Sequence, residues 1–287
     1  MRTVFALCSI LAFAGCAIIV TPDGGDARFE SVFGSSAMQG NGNVVSEKRA
    51  VSNLSSLSID GPILVEVRVG AAATLEIIGD SNLLALVRNE SVGNGTQKIW
   101  LDGHYDSKNA LRVIYTTPAL HTVNANGSGR LSIYGLNGGS LSLQKDGSRV
   151  VQMEGKVDHL MINSNGSGTI NAGALESKTA AITMHGSGSV NLGALRGDEL
   201  SVSVNGSGSL HGSGNVRNLM AHVYGSGSVD LIGMSCQTAN LSSHGSGEVT
   251  AAVSQSVVAQ TNGSGHITVY GNPAQRNVDG KRVSFVN

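Results

Sequence analysis

The sequence predicts an all-β chain whose main body is a parallel β-solenoid. Three observations carry this. A unit of ~20 residues repeats from Val123 to Tyr270, a period in the range that marks solenoids. Each copy is marked by a Gly-Ser-Gly triplet. The apolar residues on either side of the triplet alternate with period two, which is the spacing of a strand with one buried face.

The in-frame triplets run Gly127 to Gly129, Gly166 to Gly168, Gly186 to Gly188, Gly206 to Gly208, Gly225 to Gly227, Gly245 to Gly247 and Gly263 to Gly265. A degenerate copy, Gly147-Ser148-Arg149, fills the one gap in the series. A further triplet at Gly212 follows Gly206 too closely to mark a coil of its own. Leu200, Val202 and Val204 precede one triplet, and Leu219, Ala221 and Val223 precede the next. Val190 and Leu192, Val229 and Leu231, and Ile267 and Val269 follow theirs in the same rhythm. A helical repeat needs period 3.6, and paired glycines would weaken each helix by about 1 kcal/mol per residue. Each unit is therefore one coil of short strands. Successive coils pair in parallel, so eight of them span about 38 Å at the strand spacing. No coil buries its apolar face alone, and only the stack is stable.

The residue before each triplet is Asn126, Asp146, Asn165, His185, Asn205, Tyr224, His244 or Asn262. Asn and Asp tolerate left-handed backbone and hydrogen-bond their own turn, and Gly takes positive φ at little steric cost. The triplets read as structural corner turns, with the Asn side chains stacked in a short ladder.

Residues 50–118 lack the triplet. Ser58 to Gly70 and Thr74 to Asp80 alternate clearly, and Lys98 to Leu101 and Leu111 to Tyr115 read as further strands. Ser81 to Asn89 predicts one short helix with Ser81 as its N-cap. At the other end, residues 271–287, with Arg276, Lys281 and Arg282, are the expected cap against edge pairing. A dimer through the coil ends would serve the same purpose.

The N-terminus reads as an address. Arg2 precedes an apolar stretch from Val4 to Phe13, too short to span a bilayer but suited to a secretory signal. Leu11-Ala12-Phe13-Ala14-Gly15-Cys16 resembles a bacterial lipobox, with Phe13 where such motifs favour Leu. The resemblance implies cleavage before Cys16 and lipid attachment to its sulfur, and Ala17 is compatible with export to the outer membrane. Burial of the acyl chains contributes about 0.8 kcal/mol per methylene. Residues 21–46, rich in Gly, Ser, Asn and Asp, read as a flexible tether between lipid and domain; the alternative is that Phe29, Val32 and Phe33 dock on the domain end as a small cap.

The expected organisation is a signal peptide at 1–15, lipidated Cys16 and tether at 16–45, an N-terminal part of the solenoid at 46–118, and the repeats with a C-terminal cap at 119–287. The chain also resembles a known family, the bacterial DUF2807 domain, the GIN domain of an autotransporter adhesin head. Asp60-Gly61-Pro62-Ile63 stands where that family has a Gly-Ile-Asn-like motif; the repeated Gly-Ser-Gly and the closing Tyr270-Gly271-Asn272-Pro273 match its later part. The resemblance implies a right-handed, pectin-lyase-like β-helix without recognised catalytic residues, and a role in adhesion.

Composition narrows the chemistry. A net charge of −1 without a basic stripe points away from nucleic acid. A phosphate loop needs a Lys after its glycines and then a helix, and calcium-binding nonapeptides need a repeated Asp. The residues after the triplets are Arg130, Val150, Thr169, Ser189, Ser209, Ser228, Glu248 and His266, so neither pattern occurs. His185 and His244 share a column but lie about 14 Å apart, too far to share a metal, and His211, His222 and His266 occupy other positions. No metal or cofactor is expected. Cys236, alone in the body, reads as a small buried hydrophobe. Polysaccharide-cleaving β-helices need converging carboxylates; here only Asp158 and Asp198 share a column, about 10 Å apart.

The expected function is non-catalytic. The chain reads as an envelope protein of the outer membrane or periplasm, held by its N-terminal lipid, that contacts a surface glycan or protein. The alternatives are a binding module for lipid or another small ligand and, more remotely, a carbohydrate-active enzyme.

Overall fold

The computed structural model describes residues 37–70, 72–93 and 95–287. The lipobox, Cys16 and Phe29, Val32 and Phe33 lie outside the described residues. Among those described there is no α-helix, and strands joined by parallel pairing build a solenoid of about eight coils.

In the central repeats a whole coil is one bent strand: Val150–Gly166, Thr169–Gly186, Ser189–Gly206, Ser209–Gly225, Ser228–Gly245 and Glu248–Gly263. Each pairs in parallel with the next, with Gly166 opposite Gly186, Gly186 opposite Gly206, and so on to Gly263. The Gly-Ser-Gly triplet makes one corner. A second, irregular corner falls where the register shifts, for example between Ala172 and Ser177. The period-two pattern stacks inward side chains into columns. One column reads Leu143, Ile162, Ile182, Val202, Ala221, Leu241 and Ala259, all buried. Another, across the corner, reads Ile170, Val190, Leu210, Val229, Val249 and Ile267. Burial of each larger side chain contributes about 1.5–3 kcal/mol.

The N-terminal end departs from sequence order. Ser56–Asp60 and Ile63–Val69 form a coil around Gly61, and the 122–137 coil stacks on one side of it. On its other side lie Thr96–Leu101 and Arg112–Thr117. The chain therefore leaves its first coil, builds the outermost one and returns across it. Antiparallel strands then close that end: Val87–Val92 pairs with Thr96–Leu101, Thr74–Asp80 with Arg112–Thr117, and Val44–Arg49 with Thr74–Asp80.

The helix expected over Ser81 to Asn89 is replaced by one 3-10 turn at Leu84–Leu86, followed by the strand Val87–Val92. Ser81 does not cap it: Leu83 occupies the N-cap position without a side-chain hydrogen bond. Leu83, Leu84 and Val87 are all buried, and closing the solenoid end with a strand outweighs local helix propensity.

At the C-terminal end Gln275–Asp279 and Val283–Val286 pair only on their inner sides. The Arg276 guanidinium lies over the Phe285 ring, 4.2 Å from its centroid. Arg276, Lys281 and Arg282 put charge on this edge, which discourages strand addition.

Candidate functional site

The two glycines of each triplet meet different demands. The first adopts positive φ in every copy, from Gly127 at 89° to Gly206 at 126°. The third, apart from Gly129, does not; it is needed because its neighbour lies too close. A Cβ on Gly188 would stand 2.6 Å from the Gly168 carbonyl oxygen, and one on Gly208 would stand 2.8 Å from that of Gly188. The corners continue the ladder: Ser207 N–H donates to Gly186 O at 3.0 Å, and Ser209 N–H to Gly188 O at 3.1 Å. The central serines from Ser148 onward are exposed. The Asn ladder is short and broken. Asn126 donates to Asp60 and Asn165 to Asp146, but Tyr224 and His244 stack on each other instead, 5.2 Å between centroids.

The degenerate copy has its own geometry. Arg149 is fully buried, and its guanidinium donates to the carbonyls of Ile63 and Asn126, both at 3.1 Å, and of Gly61. Those acceptors belong to the two preceding coils, so one side chain ties three coils at a corner. Burial pushes Arg149 down to about 10, partly offset by Asp60, so it stays charged near neutrality. Lys145, also fully buried, donates to Gly147 O at 2.9 Å and Asn165 O at 3.3 Å.

The carboxylates singled out by the sequence do not converge. Asp158 pairs with Lys178 at 2.6 Å and Asp198 with Arg217 at 3.2 Å. With the flanking register, the four form a column of alternating charge. The Lys178 ammonium, with the Gly139 N–H, holds the Asp158 carboxyl below its ordinary value, the opposite of what a general acid needs. His211 faces Asp230, His222 Ser242 and His266 Ser284, and no metal-holding group of His, Cys, Asp and Glu occurs among the described residues. Cys236 donates to Ala252 O at 3.2 Å, and burial pushes its thiol up to about 12. Native protein at pH 8 is therefore expected to resist iodoacetamide at Cys236, with alkylation by mass spectrometry appearing only on unfolding.

A groove that could hold a ligand runs along the face leading into the Gly-Ser-Gly corner. Its floor is an outward column: Thr122, Ser142, Met161, Ala181, Ser201, Met220, Asn240 and Val258. Met161 is 51% exposed, Met220 40% and Val258 42%. One wall is the polar column Ser140, His159, Thr179, Glu199, Asn218, Thr238 and Ser256. Two hollows, of 520 and 290 Å³, lie along it and meet at Glu199. From Thr122 to Val258 the groove runs about 34 Å at the strand spacing. Neither Asp158 nor Asp198 lines either hollow. The sequence reading missed this face. Its signal is an apolar residue at the outward parity, as in Leu160-Met161-Ile162 and Leu219-Met220-Ala221.

The family model described as "Putative auto-transporter adhesin, head GIN domain" matches residues 53–174 and again 172–273. The chain belongs to the DUF2807 family. Among solved structures, this DUF2807 member resembles a putative adhesin from Parabacteroides merdae, 21% identical, covering 88% of this chain and 99% of that one with a TM-score of 0.67. It also resembles a putative lipid binding protein from Parabacteroides distasonis, 23% identical, covering 88% and 100% with a TM-score of 0.63. A putative adhesin from the same organism is 19% identical over 88% and 100%, with a TM-score of 0.65. At these identities the likeness is one of fold. No protein of curated function matches the chain.

Proposed function

We propose that this DUF2807 protein is a lipid-anchored adhesion protein of the bacterial envelope that binds a surface component along the groove. The family description supports an adhesive role. The observation that carries the reading is the groove itself. It is continuous over several coils, walled by Ser, Thr, Asn, His and Glu, and lined by no pair of converging acids. Long contact of this kind sums many weak interactions rather than one catalytic event. In this reading residues 1–15 direct export, Cys16 carries the lipid, and the segment ahead of Met38 tethers the solenoid to the outer membrane, since Met38–Gln39 and Val44–Arg49 already pair as strands.

A second reading, a binding module for lipid or another small apolar ligand, is favoured by the exposed Met161 and Ala181 on the floor of the larger hollow.

The chain lacking residues 1–20 is expected to bind at least one envelope glycan or protein in an array screen, and Met220→Glu to weaken that binding. Retention of no component would sink the adhesive reading. Mass spectrometry of the mature protein is expected to find acylated Cys16 as its first residue; an unmodified N-terminus elsewhere would remove the anchor.

A further inference from the structure

We propose that the groove binds a linear, uncharged glycan, laid along the solenoid axis with about one sugar ring to each coil. The proposal rests on the reading that the groove is the binding face, and it names the class of ligand. An extended chain of pyranoses advances per ring by close to the coil spacing of about 4.8 Å. Parallel pairing in register therefore offers each successive ring one wall residue: Ser140, His159, Thr179, Glu199, Asn218 and Thr238 in turn. On the other side of the floor runs a further outward column, with Gln144, Asn163, Thr183, Ser203, His222 and Ser242. Both columns offer hydroxyl, amide and imidazole groups, which match the hydroxyls of a sugar. On the floor Met161, Ala181, Met220 and Val258 give apolar contact for the C–H faces of the rings, and Ser201 and Asn240 interrupt them. That interruption suits a ring, which carries C–H and O–H groups together, and not an acyl chain.

Charge decides between classes of glycan. No Lys or Arg lines either hollow, so nothing there neutralises a polyanion. The one carboxylate lining them is Glu199, exposed at their junction. Asp158 and Asp198 are each paired with a cation, whereas Glu199 has no ion-pair partner among the described residues. An unpaired carboxylate repels uronate and sulfate groups, and it accepts charge-assisted hydrogen bonds from a diol. Beside it Thr238 Oγ1 donates to Asn218 Oδ1 at 2.7 Å, which leaves the Asn218 NH2 to donate. Acceptor and donor thus stand on adjacent coils and match a hydroxyl, which plays both parts. His159 Nδ1 is engaged by Thr179 Oγ1 at 2.8 Å, so its Nε2 is left for the ligand. Every strand beneath the floor pairs on both sides, and no backbone groups remain there for an added peptide strand. The hollows have no aromatic platform, so each ring is held weakly and affinity comes from many rings together.

The test is equilibrium dialysis of the full chain against end-labelled cello-, malto- and N-acetylchito-oligosaccharides of three and six rings, with hexagalacturonate as the anionic counterpart. At least one uncharged hexasaccharide is expected to bind saturably, and its trisaccharide to bind about tenfold more weakly or less. Hexagalacturonate is expected not to bind. Glu199→Gln is expected to weaken the hexasaccharide by about tenfold, and Glu199→Lys to admit hexagalacturonate. Ala181→Ile, which fills the larger hollow, is expected to weaken the hexasaccharide by about tenfold or more. Both positions face outward and Ile suits a strand, so thermal melts should match wild type and separate lost binding from lost folding. Failure of every uncharged hexasaccharide, equal binding of three and six rings, or preference of wild type for hexagalacturonate would overturn the proposal. Unchanged affinity in both Ala181→Ile and Glu199→Gln would overturn it too, by placing the glycan outside the groove. An array screen that retains an envelope protein while every oligosaccharide fails would refute the glycan and leave the adhesive reading standing.

Discussion

Replacement of Arg149 by alanine is expected to cost about 3–5 kcal/mol, the largest single-residue effect in the molecule. The guanidinium is fully buried and serves carbonyls of Gly61, Ile63 and Asn126. Removing it takes a donor from three carbonyls in a dry corner, of which Gly61 O keeps the Ile63 N–H at 3.0 Å, and leaves a void where the side chain ran. For a domain of this size that corresponds to a fall in Tm of about 10 °C. Arg149→Met restores most of the volume but none of the donors, and should recover little. Arg149→Lys supplies one point donor in place of a fork, and should fall between. Arg149→Gly is the informative variant, since it restores the repeat consensus. If consensus were what mattered it would be neutral; the contacts predict it to be as damaging as alanine. Urea melts followed by circular dichroism separate the two, and a neutral Arg149→Gly would refute the corner tie.

The repeat was legible because three independent patterns coincide in it: triplet spacing, period-two alternation and the turn-forming residue before each triplet. The closing of the N-terminal end was not. Nothing local in Ser56–Asp60 tells that its neighbours are Thr96–Leu101 on one side and Thr122–Gly127 on the other. That arrangement is set by which edges remain open, a long-range property. The segment after Ser81 misled for a related reason. Leu83, Leu84 and Val87 are spaced as on a helix, yet they fill the solenoid end from a 3-10 turn and a strand. Arg149 looked like decay of a motif because a charged residue in a consensus glycine position reads as exposed. Its burial depends on carbonyls 86 and 88 residues away in sequence. The groove was hidden differently. Met161 and Met220 sit among apolar neighbours, and an unbroken apolar run reads as core until strand parity assigns its middle residue to the outside.

Gly206→Ala is the second large expected effect, and it tests the stack as a whole. The residue has φ of 126°, where an L side chain is strained by about 1–3 kcal/mol. Its new Cβ would also stand 2.6 Å from the Gly186 carbonyl oxygen. That oxygen is fixed, because it accepts from Ser207 N–H at 3.0 Å. Relief requires the two coils to part at their corner, so the total cost is about 3 kcal/mol or more. Gly208→Ala should cost less. It carries no φ strain, and one of its obstacles is the flexible Met184 terminus, although the Gly188 carbonyl remains in the way. Ser207→Ala, at an exposed position on the same corner, should lie within about 0.5 kcal/mol of wild type. Because each coil contacts chiefly its neighbours, the damage should be local before it is global. Hydrogen exchange is expected to show lost protection over the 189–206 coil and those on either side, while the 56–69 coil, several layers away, keeps its own. Uniform loss along the whole solenoid would mean that the coils melt as one unit, and that the corner glycines govern its overall stability rather than a single joint.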